Sequence, residues 1–271
     1  MSDQTMQANK LKAYVKLVLI ILWILFCIPL FCIFWLIPFL RHENILLIFH
    51  KNLCRIMGVK VIVHGQQSDY VPTLYVSNHV SYLDIPVLGG IIKAFFVAKS
   101  EIASWPVINH LCRFQNTIFI ERRASKSKQQ AQLLRKYLKS KKSLIFFPEG
   151  TSTNGAEVLS LKSSLFAAVE PEKGVNEPID VLIQPVAIVY SKYKNQGMNQ
   201  AKRDYYAWYA DFPFGSHVMN MLALGNVTAE VSFCRPVKLS DFLNRKDCAF
   251  ACGSAMRDAF NQVFAESGSQ N

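Results

Sequence analysis

The sequence predicts an α/β protein whose mainly parallel central sheet is flanked by helices and preceded by an N-terminal membrane-anchoring helix or helical hairpin. Two observations carry this prediction. No charged residue occurs from Leu17 to Leu40, and short β-branched and aromatic runs then alternate with helix-like segments. A chain of 271 residues is long enough for one substantial domain plus an extra segment. We therefore predict an anchor over residues 1–45 and one domain over residues 46–271.

The uncharged run is long enough to cross a bilayer, which takes about 20 apolar residues. It is too long for a cleavable signal peptide, and no small-x-small cleavage site follows it. Pro29 interrupts it near the middle and Pro38 near the end. Basic residues flank both sides and so give no orientation, which favours a kinked helix or hairpin dipping into one leaflet over a spanning helix. These residues are Lys10, Lys12, Lys16, Arg41, Lys51, Arg55 and Lys60.

The elements of the domain follow from residue type and hydrophobic period. The predicted strands are Lys60–His64, Thr73–Val76, Ala94–Ala98, Thr117–Ile120, Ser143–Phe147, Val181–Tyr190 and Val227–Phe233. The predicted helices are Tyr82–Ile92, Lys126–Lys139, Lys162–Val169, Val218–Leu224 and Cys248–Ala265. No internal repeat or interdomain linker is visible.

The net charge of +11 indicates an anionic partner, and the apolar N-terminus favours a membrane surface over nucleic acid. Residues 126–142 are basic around an apolar stripe, which favours a solvated helix face; attraction to anionic headgroups is the alternative. The seven cysteines are scattered without a C-x-x-C pair, so we expect packing roles, no zinc site and a domain that faces the cytoplasm. They are Cys27, Cys32, Cys54, Cys112, Cys234, Cys248 and Cys252.

His79 and Asp84 offer a base and a carboxylate that would orient it. On one regular helix, five residues would turn the two side chains apart by roughly 140°. They can meet if a strand ends near Asn78 and a helix begins near Ser81. The alternative is structural, because Ser81-x-x-Asp84 matches a helix capping box. No serine elbow is present, so the hydroxyl to be activated would come from a substrate, and the chemistry would be group transfer.

Two further polar clusters follow apolar strands, where ligands bind in open α/β sheets. The strand ending at Ile120 leads into Glu121, Arg122 and Arg123, whose guanidinium groups can hold a phosphate or simply start a loop. The strand before Phe147 leads into the turn Pro148-Glu149-Gly150-Thr151, where glycine lets the backbone approach an anion closely.

Together these residues resemble the glycerolipid acyltransferases, most closely the bacterial 1-acyl-sn-glycerol-3-phosphate acyltransferases. The resemblance covers about residues 50 to 235, which makes 46–271 an acyltransferase domain. It rests on four ordered motifs: Asn78-His79-x-Ser81-x-x-Asp84, Phe119-Ile120-x-Arg122, Phe147-Pro148-Glu149-Gly150-Thr151 and Gln184-Pro185-Val186.

The resemblance implies that His79 is the general base for an acceptor hydroxyl and that Asp84 orients it. The hydroxyl would attack an acyl thioester, supplied by acyl-CoA or acyl carrier protein. The strand carrying Pro185 would line the acyl or donor side. No metal or redox cofactor is implied, and the expected location is the cytoplasmic face of the inner membrane. The residues expected to bind the acceptor headgroup and shape the site are Arg122, Glu149, Gly150 and Thr151.

The chain departs from the family pattern at Ser152, where many lysophosphatidate enzymes have arginine. Lys162 can compensate for that charge. The motif with Ser152, and the aromatic stretch 205–214, are similar to lyso-ornithine lipid acyltransferases, although the stretch also fits packing on the sheet or at the membrane rim. Asp211 and His217 form a second candidate acid–base pair.

We therefore predict a membrane-bound O-acyltransferase of phospholipid biosynthesis, with lysophosphatidate as the preferred acceptor and lyso-ornithine lipid or another lysolipid as the alternative. A non-catalytic lipid-binding protein is the competing class, and a thioesterase or lipase is a third. Release of thiol that requires the acceptor distinguishes transfer from hydrolysis.

Overall fold

The computed structural model describes residues 9–36, 42–106, 108–121, 124–171, 179–210 and 212–268. Its centre is an eight-stranded sheet in the order β1-β8-β6-β2-β5-β3-β4, with β7 paired to β6. Strands β6, β2, β5, β3 and β4 are mutually parallel; β1 and β8 form a parallel pair that runs antiparallel to β6. The predicted fold class is confirmed. The strands are β1 Val59–His64, β2 Thr73–Ser77, β3 Phe95–Lys99, β4 Ile118–Ile120, β5 Leu144–Phe146, β6 Leu182–Tyr193, β7 Gln196–Gly197 and β8 Val227–Phe233.

Helices cover both faces of this sheet. They are α1 Lys10–Leu36, α2 His42–Met57, α3 Asp84–Gly89, α4 Ile108–Phe114, α5 Ser127–Lys139, α6 Gln200–Asp204, α7 Phe214–Leu224 and α8 Arg245–Gly268. Short 3-10 helices occupy Ser100–Ser104, Ala124–Lys126, Ser163–Ala168 and Leu239–Asp241. All seven predicted strands are present within one to three residues at each end.

Several predicted helices differ from those observed. The helix expected over Tyr82–Ile92 is only α3, because Pro86 suits an early helical position and the pair Gly89-Gly90 ends the helix. The segment expected as a helix over Lys162–Val169 is a 3-10 helix. Helices α2, α4 and α6 were not predicted from the sequence. The domain boundary predicted after residue 45 falls inside α2, and the division into anchor and domain stays a prediction.

Alternation along the central strands divides the core into two layers. Tyr75 of β2 and Ile188 of β6 face a cluster that also contains residues of α2, α3 and α7. Leu74 and Val76 of β2 face the opposite cluster, with α5 and the first turns of α8. Because β2 lies between β5 and β6, its carboxyl end lies near the middle of one edge of the sheet.

Helix α1 packs against the domain along one side. Lys16 Nζ donates to the Met57 carbonyl at the end of α2 at 2.6 Å, and Lys12 Nζ donates to the Leu224 carbonyl at the end of α7 at 3.3 Å. Farther along, Phe31 stacks on Phe114 of α4 with 5.6 Å between ring centroids. The other side of α1 is apolar and exposed. Residues Lys10–Ile33 are long and apolar enough to be a candidate membrane helix, and little of this segment is buried in the protein.

Candidate active site

The turn between β2 and α3 carries the candidate catalytic pair. Because β2 ends at Ser77 and α3 begins at Asp84, His79 lies on the strand-to-helix turn between them. His79 Nδ1 is 2.7 Å from Asp84 Oδ2, so the predicted contact is present. A carboxylate only accepts hydrogen bonds, which places the proton on Nδ1 and leaves a lone pair on Nε2. The His79 side chain is 22% exposed, so a substrate hydroxyl can approach the ring.

Asp84 is fully buried, and its carboxylate accepts four hydrogen bonds. Besides His79, Oδ2 accepts from the backbone N–H groups of Val80 at 2.8 Å and Ser81 at 3.0 Å. Oδ1 accepts from the Tyr190 hydroxyl at 2.7 Å. Burial and the Asp84 charge raise the pKa of Tyr190 well above its usual value, so the phenol stays protonated and donates. These donors stabilise a buried charge that would otherwise be costly.

The two roles considered for Asp84 coexist. Its carboxylate accepts the Ser81 N–H, as the acidic residue of a capping box would, while also holding His79, although the N-cap of α3 is Leu83 and not Ser81. The other half is missing, because Ser81 Oγ is buried without a hydrogen-bond partner among the described residues. Asp84 therefore both fixes the start of α3 and orients the imidazole.

Neighbouring strands hold the turn in place. The buried amide of Asn78 donates to the Ile188 carbonyl at 3.0 Å and accepts from the Ile188 N–H at 2.8 Å, which ties the turn to β6. Phe147, directly after β5, stacks on the His79 ring with 4.2 Å between centroids and 19° between planes. The Thr153 N–H donates to the His79 carbonyl at 2.9 Å. Residues on three parallel strands or their extensions thus fix His79.

Glu149 also holds the turn in place. Its Oε2 accepts from the backbone N–H of His79 and its Oε1 accepts from the backbone N–H of Leu159, each at 2.7 Å. The side chain is buried, and burial raises the pKa of Glu149 to about 7 despite these two donors. Because both carboxylate oxygens bind backbone within the protein, Glu149 shapes the site rather than offering a free charge to a headgroup.

Replacing Glu149 with glutamine tests this burial. A carboxyl with a raised folded-state pKa contributes stability that is full below its usual value of 4.5 and is lost as the pH rises through about 7. Between about pH 5 and pH 8 we expect wild type to lose stability relative to Glu149→Gln, by up to about 3 kcal/mol in the free energy of unfolding. Thermal unfolding of wild type and variant across this pH range measures the difference in stability. Glu101→Gln, at another exposed position, is the control, and a pH-independent difference between Glu149→Gln and wild type would contradict the assignment.

Gly150, Thr151 and Lys162 gather next to Glu149 at the carboxyl end of β5. Gly150 has φ +82°, a backbone conformation that favours glycine, and a Cβ there would lie 2.5 Å from Lys162 Nζ, so a larger residue would displace that ammonium group. The Lys162 N–H donates to the Pro148 carbonyl at 2.9 Å, which holds this residue against the loop. Thr151 and Lys162 are exposed, so their side chains are available to a ligand.

Three sequence candidates lie outside the described residues. Arg122 and Arg123 follow β4, which ends at Ile120 on the same sheet edge as His79. Asp211, the proposed acid partner of His217, is the third. His217 Nδ1 lies 3.1 Å from the Tyr82 hydroxyl, and burial lowers the pKa of His217. That favours a neutral histidine within a packed cluster.

An aromatic cluster of Tyr82, Trp105, Trp208 and Phe214 borders the catalytic turn. Neighbouring rings cross nearly edge to face, with centroids 5.1 to 6.0 Å apart. The backbone N–H of Trp208 donates to the Val80 carbonyl at 2.9 Å, so the cluster is attached to the turn. The aromatic stretch around Trp208 therefore packs against the turn that carries His79. Sequence reasoning missed the contributions of Trp105 and of Tyr190.

The seven cysteines form no disulfide and no metal site in the part of the chain that the structure describes. All seven cysteines are free thiols; five are buried, Cys234 is half-buried and Cys32 is exposed. Within the described ranges, no three His, Cys, Asp or Glu side chains converge as a ligand set. The chemistry available at the site is that of an oriented histidine base beside a loop that carries glycine and lysine.

The fold and the candidate site fit an enzyme in which a histidine–aspartate pair activates a hydroxyl of the substrate. Comparison with known proteins identifies the family. Residues 60–189 match the Acyltransferase family model. The lyso-ornithine lipid O-acyltransferase of Rhodobacter capsulatus is 36% identical over 215 residues, which cover 78% of this chain and 75% of that protein. The chain belongs to the acyltransferase family.

Two further comparisons show weaker similarities. The 1-acyl-sn-glycerol-3-phosphate acyltransferase of Neisseria gonorrhoeae is 27% identical over 194 residues, covering 71% of this chain and 69% of that protein. The crystal structure of the 1-acyl-sn-glycerophosphate acyltransferase PlsC from Thermotoga maritima has a TM-score of 0.60 at 20% identity and covers 93% of this chain and 97% of that one. The structural likeness shows a common fold.

Proposed function

We propose that this protein transfers a fatty acyl group from an acyl thioester to the free hydroxyl of a lysolipid, with lyso-ornithine lipid as the acceptor. The observation that carries the transfer reaction is the His79–Asp84 contact of 2.7 Å on an accessible turn. Both residues stand in their family motif, which argues against a non-catalytic lipid-binding protein. The donor is an acyl-CoA or an acyl carrier protein, and no metal or redox cofactor enters this scheme.

In this mechanism Nε2 of His79 takes the proton from the acceptor hydroxyl as its oxygen attacks the thioester carbonyl. Asp84 stabilises the imidazolium that forms and keeps the ring oriented. The tetrahedral intermediate then collapses: the carbon–sulfur bond breaks, the new ester remains on the acceptor, and the imidazolium returns its proton to the leaving thiolate. The base is regenerated, and one thiol is released for each ester formed.

The choice of acceptor rests on two observations. Four lyso-ornithine lipid acyltransferases are 31% to 36% identical to this chain, compared with 27% for two lysophosphatidate enzymes. In addition, Ser152 stands where many lysophosphatidate enzymes have arginine. Lysophosphatidate, which the motifs alone favoured, is the second candidate, because the Lys162 ammonium beside Gly150 offers a cation to a phosphate.

A side-by-side assay tests the proposal. The purified protein is given lyso-ornithine lipid or lysophosphatidate, with acyl-CoA and then acyl carrier protein as donor, and both thiol release and the acylated product are measured. We expect thiol release only when acceptor is present and faster turnover of lyso-ornithine lipid. Faster turnover of lysophosphatidate would reverse the assignment of the acceptor. Thiol release without acceptor would indicate a thioesterase, and no reaction with either acceptor would refute the enzyme assignment.

Lys162 is an exposed cation beside Gly150 in the proposed headgroup site. Replacing it with methionine keeps the length and apolar stem of the side chain but removes the charge. Since an anionic group of the acceptor would lose a charge-assisted contact, we expect the acceptor KM to rise about tenfold or more, with the donor KM nearly unchanged. Lys128→Met, at an exposed position of α5, is the matched control. An equal change of the acceptor KM in both variants would show that Lys162 does not bind the acceptor.

We further propose that α1 lies along the membrane surface of the enzyme rather than crossing the bilayer. Its contacts with the domain extend from Ala13 to Phe31, about 27 Å of helix axis. A spanning orientation would draw α4, which carries Asn109, His110 and Arg113, into the hydrocarbon. With its exposed apolar side in one leaflet, α1 would hold the site at the lipid–water boundary of the inner membrane, on the cytoplasmic face.

A further inference from the structure

We propose that Tyr190 is a positioning residue of the reaction: its hydroxyl holds the Asp84 carboxylate so that Asp84 orients His79 and sets the pH range in which His79 acts as base. This inference rests on the proposed acyl transfer. Tyr190 lies on β6, 106 residues from Asp84 in the sequence. None of the four family motifs includes it.

The two oxygens of Asp84 have separate partners. Oδ2 serves the local turn, with His79 Nδ1 and two backbone N–H groups. Oδ1 is held by the Tyr190 hydroxyl at 2.7 Å, its sole hydrogen bond within the described residues. Asp84 is 0% exposed and Tyr190 is 3% exposed, so bulk water cannot replace this donor. The hydroxyl thus prevents the Asp84 carboxylate from rotating about its Cβ–Cγ bond. Oδ2 therefore stays directed at His79.

Backbone contacts hold Tyr190 in place, and a register shift of β6 against β8 follows it. Its carbonyl accepts from Arg203 Nε of α6 at 3.3 Å, and its strand pairs with both β2 and β8. The register of β6 is fixed beside the turn, because Asn78 binds both backbone groups of Ile188, two residues earlier. The same strand therefore holds the turn through Ile188 and the carboxylate through Tyr190. This geometry couples the position of Asp84 to the sheet rather than to the short helix α3 alone.

The hydrogen bond also bears on protonation of the pair. Without it, the Asp84 charge would be stabilised by one donor fewer and would attract the His79 imidazolium more strongly. A larger fraction of His79 would then be protonated at a given pH and unable to accept a proton. The other titratable or charged groups that face this cluster are Cys54 of α2, Tyr82 of the turn, Glu149 and Arg203. All of them are unchanged when only the Tyr190 hydroxyl is removed.

The test compares Tyr190→Phe with Tyr206→Phe. Tyr206 is fully buried and donates a single hydrogen bond, to the Gly225 carbonyl at 2.9 Å, away from the candidate site. For Tyr190→Phe we expect kcat to fall about tenfold, both KM values to stay within about twofold, and the acid limb of the kcat/KM profile to move to higher pH. For Tyr206→Phe we expect a loss of thermal stability without a shift of the acid limb.

Two features keep the outcomes separate. The position of the acid limb does not depend on the concentration of active enzyme, so it remains informative even if Tyr190→Phe folds incompletely. In an Asp84→Asn background, the further loss caused by Tyr190→Phe should be much smaller than in wild type. An unshifted acid limb together with additive losses would show that Tyr190 is only a packing residue. Inactive wild type, or full activity of His79→Ala, would instead refute the proposed function.

Discussion

Replacing His79 with alanine should reduce kcat for acyl transfer by about 10² to 10⁴, because the reaction loses its general base. The fold should persist. The His79 ring is 22% exposed, and Asp84 keeps its hydrogen bonds from Val80, Ser81 and Tyr190. Measurements of initial rate, thermal unfolding and vesicle binding on the same preparation separate loss of chemistry from loss of structure.

A second histidine–carboxylate contact in the chain supplies the matched control. His64 Nε2 lies 2.7 Å from Glu230 Oε2 on strands β1 and β8, outside the candidate site. His64→Ala removes a comparable contact and should leave kcat within about twofold. If folded His79→Ala turned over at a near-normal rate, the base mechanism would be wrong. If both histidine variants lost activity equally, the effect would not be specific to the site.

Asp84→Asn distinguishes the two roles of this residue. An amide nitrogen placed among the His79, Val80 and Ser81 donors would bring donor against donor. An amide oxygen there would keep these contacts but remove the negative charge, and the amide nitrogen would then donate to the Tyr190 hydroxyl, which reverses the present bond. We therefore expect both lower activity and a lower Tm. A large drop in Tm with nearly full activity per folded molecule would mean that Asp84 serves the start of α3 alone.

The part of the site that could be predicted from sequence is the part made by local chain geometry. His79 and Asp84 are five residues apart, and the end of a buried strand followed by a helix start is visible in the residue pattern. The motif at Phe147 was also visible, but the direction of the Glu149 carboxylate was not. Its partners are the backbone N–H groups of His79 and Leu159, and those positions depend on how the loop folds back.

Contacts between distant strands lie beyond such reasoning. Tyr190 lies in an apolar run, where a tyrosine is expected to be an ordinary core residue. Only the register of β6 against β2 brings its hydroxyl to Asp84. The length of α3 was overestimated for a related reason. The close approach of α2 limits this region, since a Cβ on Gly89 would lie 2.5 Å from the His50 ring. Neither α2 nor that approach was predicted.

The apolar N-terminal run illustrates a different limit. Its sequence is hydrophobic on all sides, so composition predicts an anchor but does not tell the inner side from the outer side. Packing does. Ala13, Cys27 and Phe31 are buried against the protein, whereas Val18, Leu22 and Phe26 are 54%, 56% and 63% exposed. Because the inner side completes the core, deleting the whole segment would damage the fold as well as the location of the enzyme.

A variant confined to the outer side therefore tests membrane attachment. Val18, Leu22 and Phe26 lie on one exposed stripe of α1, and replacing all three with serine removes apolar surface that would insert into lipid. At roughly 1 kcal/mol or more for each half-exposed side chain, the loss is about 3 kcal/mol, or about two orders of magnitude in membrane partitioning. We expect vesicle binding to fall accordingly, and activity on lysolipid in vesicles to fall at least tenfold.

Activity on a short-chain lysolipid dispersed in detergent should stay within about twofold, and Tm should change little, because these side chains are already exposed. The control triple is Val71→Ser, Leu243→Ser and Phe250→Ser, which removes the same residue types from exposed positions elsewhere, with exposures of 53%, 97% and 72%. Equal losses on vesicle and detergent substrates would mean that the outer side of α1 helps to build the active site. Equal losses of vesicle binding from both triples would mean that attachment is not localised to α1. A loss confined to the α1 triple and to vesicle substrate would assign the outer side of this helix to the lipid surface.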